Sequence, residues 1–399
     1  MPARFLTDPA EAGRAPDIVV AGGGIVGLAT AFFLSRAGLR PLVIERLPAL
    51  AMLASRRSGE GVRAQWELPS NIELARASID IYAGFEALTG HTAGYRPIGY
   101  LYGSRTEAGA GRLAARVDRQ REAGLDDVEW LTPEAARDRV PTLSPEVTGA
   151  AFRAGDGVID IGSIITGYLA GMNADIVTDC DLLHIRERVG GVTLETNRGA
   201  IDTGSLVLAN AVRCPGILAS LGVALKLRLS RSAIQYVTLD RVPADHPAVV
   251  DADLGSFWRP DTNGARMTAS FRSTLFLDRL TDDPPVGADY LQHAIRTVSP
   301  LTPFWGERAA EISGGHLRSG SLLVTADGGP LVGRLTGHDR IFVNTGYGGH
   351  GVMMSPEAAR LLADEATGGA ASRWSPARFD DGFMPPAEPM TVNLASNRD

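Results

Sequence analysis

Residues 17–45 read DIVVAGGGIVGLATAFFLSRAGLRPLVIE. Positions 18–21 are a short apolar run suited to a buried parallel strand. Gly22, Gly24 and Gly27 follow it with G-x-G-x-x-G spacing. The first glycine permits a tight turn, the second lets the backbone approach a pyrophosphate, and the third lets a helix pack closely on the strand. A helix predicted from about Ile25 to Arg36 aims its free N–H groups and positive dipole end at those phosphates, and Gly38 stops it. Positions 41–44 form the next strand. Glu45 then stands where an acidic side chain accepts hydrogen bonds from adenosine ribose hydroxyls. A glycine-rich turn of any α/β protein explains the glycines alone. Strand, helix, second strand and terminal acid in one register point to an adenine dinucleotide. Three successive glycines, with Asp17 and Arg36 at the edges, argue against a membrane span over the uncharged run 18–34.

A chain of 399 residues exceeds one typical core, so two domains are expected. A net charge of −7 argues against nucleic-acid binding, which needs a basic surface. Cys180 and Cys214 are too few for a disulfide framework and read as buried apolar side chains. The first 15 residues contain Asp8 and Glu11 and lack a basic start followed by an apolar core, so a cytoplasmic location is expected, with no membrane partner. His91, His184, His246, His293, His316 and His338 are scattered without metal-ligand spacing, and no metal is predicted. Asp282 and Asp283 precede Pro284 and Pro285 and read as a solvated turn. Residues 385–399 read as a mobile tail.

A second glycine signal lies at 339–369, DRIFVNTGYGGHGVMMSPEAARLLADEATGG. Its pattern predicts a strand over 341–344, a glycine turn over 346–351 and a helix over 355–367. A second helix N-terminus at the ligand suits the negative charge of a reduced flavin ring.

With these residues the chain resembles the D-amino-acid-oxidase-like superfamily of FAD enzymes, and within it the sarcosine oxidase and dimethylglycine dehydrogenase branch. The segments that carry the resemblance are GGGIVG with Glu45, RRSGEGVRAQW at 56–66, TADGGPLVG at 325–333 and TGYGGHG at 345–351, with DGVIDIGSII at 156–165 as a further link. The resemblance implies a Rossmann-like α/β FAD-binding domain from 1–90, 150–225 and 325–385. It also implies a discontinuous α+β substrate domain, on a mainly antiparallel sheet, from 91–149 and 226–324, leaving 386–399 as a C-terminal tail. Strand-like content at 233–240, 255–259 and 266–271 fits that sheet. FAD is implied, held by Gly22, Gly24, Ile25, Gly27, Glu45 and Arg46, by Arg57, Ser58 and Gly61, by the Leu182 backbone, and by Gly346, Gly349, Gly351, Val352 and Met353.

The chain departs from the family in places. The cysteine that tethers flavin in some members aligns with Gly320, and 54–66 contains no histidine, so the FAD is expected to be noncovalent. Small-amino-acid oxidases of the branch hold the substrate carboxylate with an arginine and a lysine. Trp66 and Met353 occupy those positions here, which predicts an apolar pocket floor and a bulky amine as substrate. Arg259 or Arg266 is the candidate replacement for the lost charge. Lys226 is the only lysine and does not match the lysine that speeds reaction with dioxygen, so dioxygen and another electron acceptor stay open. NAVRC at 210–214 places Val212 where the family has glycine.

The implied chemistry is oxidation of an amine or amino-acid C–N bond by hydride transfer to flavin N5, giving an imine. His350, Arg63 and Tyr347 are the candidate catalytic residues: His350 to polarise substrate or take a proton near neutral pH, Arg63 to stabilise negative charge, and Tyr347 to cover the ring edge. Oxidation of a 2-hydroxy acid and a flavoprotein subunit of a larger complex are the alternatives.

Overall fold

The computed structural model describes residues 2–270 and 275–390. Ile18–Ala21 and Pro41–Ile44 are strands with every side chain buried, joined by the helix Ile25–Arg36. Nine of that helix's twelve residues are buried, as expected of a helix apolar on all sides. Gly38, at φ +90°, follows its end. These elements belong to a seven-stranded sheet in the order Arg4–Leu6, Asp175–Val177, Pro41–Ile44, Ile18–Ala21, Ser205–Leu208, Ile341–Thr345 and Leu331–Arg334. All neighbours are parallel except the last pair. Strands fed from separated stretches of chain thus bring both glycine turns to the same end of the sheet, with Ser205–Leu208 between their strands. A small antiparallel meander, Leu182–Arg188, Gly191–Thr196 and Gly199–Thr203, stands beside it.

The second large sheet has nine strands. Its longest pair, Leu227–Thr238 and Gly314–Thr325, runs antiparallel along all twelve residues. Phe257–Asp261 and Gly264–Thr268 form a hairpin, and only Ala248–Asp251 with Tyr100–Ser104 is parallel. Trp258 and Trp305 pack edge to face at 5.1 Å in a separate core under this sheet. Phe271, the predicted end of one strand, lies outside the described residues. The sheet also takes in Gly149–Arg153, so the boundary expected at 150 falls inside a strand.

The helix after the second glycine turn is Gly351–Ala366, a full turn longer at its start than 355–367, and it contains Pro356. Proline cannot donate to the carbonyl of Val352 four residues back. The Tyr82 hydroxyl donates to that carbonyl instead, at 2.6 Å, and the helix continues through the proline. Residues 386–390 correct the mobile-tail reading. Glu388 is fully buried, and its carboxylate accepts from the backbone N–H groups of Glu67 and Leu68 and from Asn71 Nδ2. It covers the start of the helix Pro69–Ala83, whose N-cap Leu68 has no capping side chain. Residues 391–399 of that tail lie outside the described residues. Among the described residues no helix is long and apolar enough to cross a membrane.

Candidate active site

The first glycine turn is built as the spacing requires. Gly22 has φ +118°, and a Cβ there would meet the Ala209 carbonyl oxygen at 2.5 Å. A Cβ on Gly27 would lie 1.8 Å from the Gly22 oxygen, so Gly27 acts through helix-to-strand packing and does not itself line the groove. At Gly24 the nearest atom to an added Cβ is Ser55 Oγ at 3.4 Å. The turn is therefore open on the side where a pyrophosphate must approach. Ser55, which no local pattern singles out, accepts from Ile25 N at 2.9 Å and caps the helix from thirty residues away in sequence. Glu45 accepts from Gly23 N at 2.7 Å and Leu47 N at 2.9 Å, which holds its carboxylate at the groove with lone pairs left for ribose hydroxyls.

Gly22, Gly24, Ile25, Glu45, Arg46, Arg57, Ser58, Leu182, Gly346, Gly349, Gly351 and Val352 all line this groove. Gly346 and Gly349 have φ +78° and +100°, a region that favours glycine. In the loop 210–213 the left-handed residue is Ala211, at φ +47°, and not Val212. This donor set fits FAD. Gly320 lines the same groove, and a Cβ there would meet nothing closer than Arg57 Cδ at 3.9 Å.

Asp282 and Asp283 lie in an exposed bend, as expected, but both are also paired across the groove. Asp282 accepts both hydrogen bonds of a bidentate pair from Arg46 Nη2, at 2.7 and 2.8 Å, and Asp283 pairs with Arg57 at 2.7 Å. Arg57 Nη1 also donates to the Asp282 carbonyl, and Ser321 and Ser319 donate to the carbonyls of Thr281 and Pro284. Residues 281–285 lie as a strap along the groove, and Thr281 and Asp282 form part of its lining.

The groove runs into a second cavity of about 580 Å³, and Ser58, Leu322, Gly348, Gly349 and Val352 border both. Its size is that of a small-molecule site. Gly61 is needed there because a Cβ would strike the Tyr100 hydroxyl at 2.0 Å. The strand Gly61–Val62 pairs with Gly157–Val158, and fully buried Asp156 accepts from Ala64 N, Gln65 Nε2 and Arg153 Nη1. The segment at 156–165 thus positions the loop that carries Arg63.

Arg63 faces this cavity, its guanidinium 3.9 Å over the Trp66 ring. Its bonds to the Gln65 and Met390 carbonyls are long, 3.3 and 3.4 Å. Trp66 is buried behind Arg63 and does not line the cavity, which corrects its placement in the substrate pocket. Met353 does line it, together with His350, Tyr100, Tyr102 and Phe257. The wall is therefore largely apolar, as expected, with the Arg63 cation set into it. His350 meets Trp66 edge to face at 4.6 Å. Burial, and next the Arg63 charge, push its imidazole down to about 3, so it is neutral near pH 7, which disfavours taking a proton and leaves the other expected role, polarising substrate. Tyr347 lines the groove, and its hydroxyl donates inward to Asn344, whose Nδ2 donates to Thr30. It takes no part in the second cavity.

Arg259 and Arg266 line neither cavity. Arg259 donates to the Gly59 carbonyl at 2.7 Å and to Glu60; Arg266 pairs with Glu60 at 2.5 Å and Asp261 at 2.9 Å. Their donors are used in fixing the loop 58–60 to the second sheet, so they cannot replace a carboxylate clamp. Lys226 sits at the surface with its Nζ 3.6 Å from Met384 Sδ. Cys180 and Cys214 are free and buried, and burial pushes the Cys214 thiol up to about 12. Among the described residues no cluster able to hold a metal ion occurs.

A family model described as FAD dependent oxidoreductase matches residues 17–365. The chain is 24% identical over 367 residues to a glycine oxidase of Bacillus licheniformis, covering 88% of this chain and 93% of that one. It is 24% identical over 385 residues to a sarcosine oxidase subunit beta of Rhizobium meliloti, covering 92% and 89%. Among solved structures, L-proline dehydrogenase from P. horikoshii superposes with a TM-score of 0.81 at 21% identity, covering 95% of this chain and all of that one.

Proposed function

Because the chain belongs to the DAO family of FAD-dependent oxidoreductases, we propose that it oxidises the C–N bond of an amino acid whose carboxylate is held by Arg63. Its relatives are named as glycine and sarcosine oxidases, and amine C–N oxidation is the reaction common to them. One observation carries the residue assignment. Arg63 is a cation on the cavity wall that forms no ion pair with a carboxylate among the described residues.

Bound FAD supplies the acceptor for the hydride that leaves the carbon beside nitrogen. The chain's own groups do the rest. Stacking on Trp66 fixes the plane of the Arg63 guanidinium, and its long bonds to the Gln65 and Met390 carbonyls give way to a carboxylate in a charge-assisted pair. That pair orients the amino-acid carbon toward the border between groove and cavity. His350, neutral, orients by hydrogen bonding and leaves the amine proton to solvent. Tyr100, Tyr102 and Phe257 supply apolar walls that exclude water. Sheet membership supports an FAD-binding part from 1–90, 154–225 and 325–385, and a substrate part from the intervening segments.

Anaerobic flavin reduction tests this reading. Arg63→Met is expected to weaken half-saturation by amino acids by about 10- to 100-fold, the worth of a charged hydrogen-bonded pair, with Arg63→Lys intermediate and amines lacking a carboxylate little affected. Equal losses for both substrate types would show that Arg63 serves another purpose. Reduction by 2-hydroxy acids and not by amino acids would favour the hydroxy-acid alternative.

A further inference from the structure

Arg116 lies behind the cavity wall formed by Tyr102 and Met390. It projects from the helix Glu107–Glu122 and is 4% exposed. Its Nη1 donates to the Met390 thioether at 2.8 Å, a weak acceptor, and its Nε and Nη2 have no hydrogen-bond partner. Arg116 sits 4.4 Å over the Tyr102 ring, and Arg63 lies 5.9 Å from the same ring. Neither arginine is ion-paired among the described residues. The nearby Glu388 carboxylate already accepts from Glu67 N, Leu68 N, Asn71 Nδ2 and Met390 N. A guanidinium buried with two N–H groups unmatched is costly.

We infer that Arg116 is a second anion subsite, for the distal carboxylate of an amino-dicarboxylic acid, and that the Met390 side chain holds the place of that carboxylate in the free enzyme. This rests on the reading of the cavity as the amino-acid site. Two features allow the exchange. The Met390 backbone is held by Glu388, whereas its side chain is unbranched with three rotatable bonds and re-packs cheaply. Swinging it aside would open to the cavity the Nη1 that its sulfur now covers. Burial pushes the Arg116 guanidinium below its ordinary value, and the Arg63 charge acts in the same direction against the smaller opposing influence of Tyr102, Glu67 and Glu388; a carboxylate in contact with Arg116 would oppose both directly.

The test uses holoenzyme and anaerobic flavin reduction with both enantiomers of glutamate and glutamine, alongside calorimetric binding of glutarate and its half-amide, glutaramate. The acid is expected to exceed its amide by about 20-fold or more in each assay, the scale of a charged hydrogen bond. Arg116→Met should bring the ratio close to one. Met390→Phe, which blocks the passage without touching the charge, should do the same, and it decides the matter should Arg116→Met fail to fold. A native ratio near one, or a ratio that survives either substitution, overturns the subsite. If no amino acid reduces the flavin, the amino-acid reading falls, while the glutarate-to-glutaramate ratio still tells whether Arg116 binds the acid.

Discussion

Gly24 and Gly27 belong to one motif and differ in what a side chain would meet. Gly27→Ala puts a methyl group against backbone 1.8 Å away, so loss of the soluble fold is expected. Gly24→Val meets only the Ser55 hydroxyl; it should give a folded, colourless protein, checked by circular dichroism against flavin absorbance. His350 yields a pH prediction. Its folded value of about 3 lies below the ordinary imidazole 6.5, so the unfolded chain binds more protons between those limits, and stability falls as pH drops from about 6.5 toward 3. His350→Asn should reduce the loss of Tm between pH 7 and pH 5, and the native kcat/KM profile should show no limb near 6.5 from this ring. An unchanged acid slope in the variant would assign it to other groups. Such pairings explain what the sequence could reveal. Glycine spacing is a local property and was readable, whereas the neutrality of His350 comes from Trp66 and Arg63, nearly three hundred residues away.

The strands at 18–21 and 41–44 were legible because burial on both faces leaves an unbroken apolar run. The start of the helix Gly351–Ala366 was not, since Pro356 reads as a first-turn residue unless the Tyr82 hydroxyl is known to meet the Val352 carbonyl. The strap at 281–285 escaped for the same kind of reason. Two aspartates before two prolines form a turn in either case, and only the folded chain brings Arg46 and Arg57 beneath them. Asp282 is 40% exposed in its side chain, so its pair with Arg46 is of the weak, screened kind. Asp282→Ala is therefore expected to speed FAD release only a few-fold, corresponding to about 0.2–1 kcal/mol. The difference from the native protein should shrink in high salt. Stopped-flow transfer of FAD to an apoflavoprotein scavenger measures both; equal release rates at low salt would mean that the strap does not retain the cofactor.

Across the whole molecule, family order and spacing disclosed the FAD domain and the antiparallel substrate sheet, while the substrate floor stayed hidden. Trp66 and Met353 match the two clamp positions of the family, yet one lies behind Arg63 and the other faces the cavity. Gly320 stands at the groove, and burial pushes up the thiol of Cys180, the cysteine on the groove wall, so acid precipitation is expected to release all the FAD; a pellet that keeps its yellow colour would reveal a covalent link. The sheet order bears on how the protein is made. The strand Ile18–Ala21 is flanked by Ser205–Leu208, itself beside Ile341–Thr345, and the start of the helix Pro69–Ala83 receives Glu388 through a contact spanning 317 residues. A ribosome builds chains from the N-terminus. The strand before the glycine turn finds Pro41–Ile44 early on one side but lacks its other neighbour until nearly two hundred further residues have followed, and the helix waits longer still for its cap. Flavin capture is therefore a late, nearly post-translational event, and a nascent chain arrested before residue 341 should bind none.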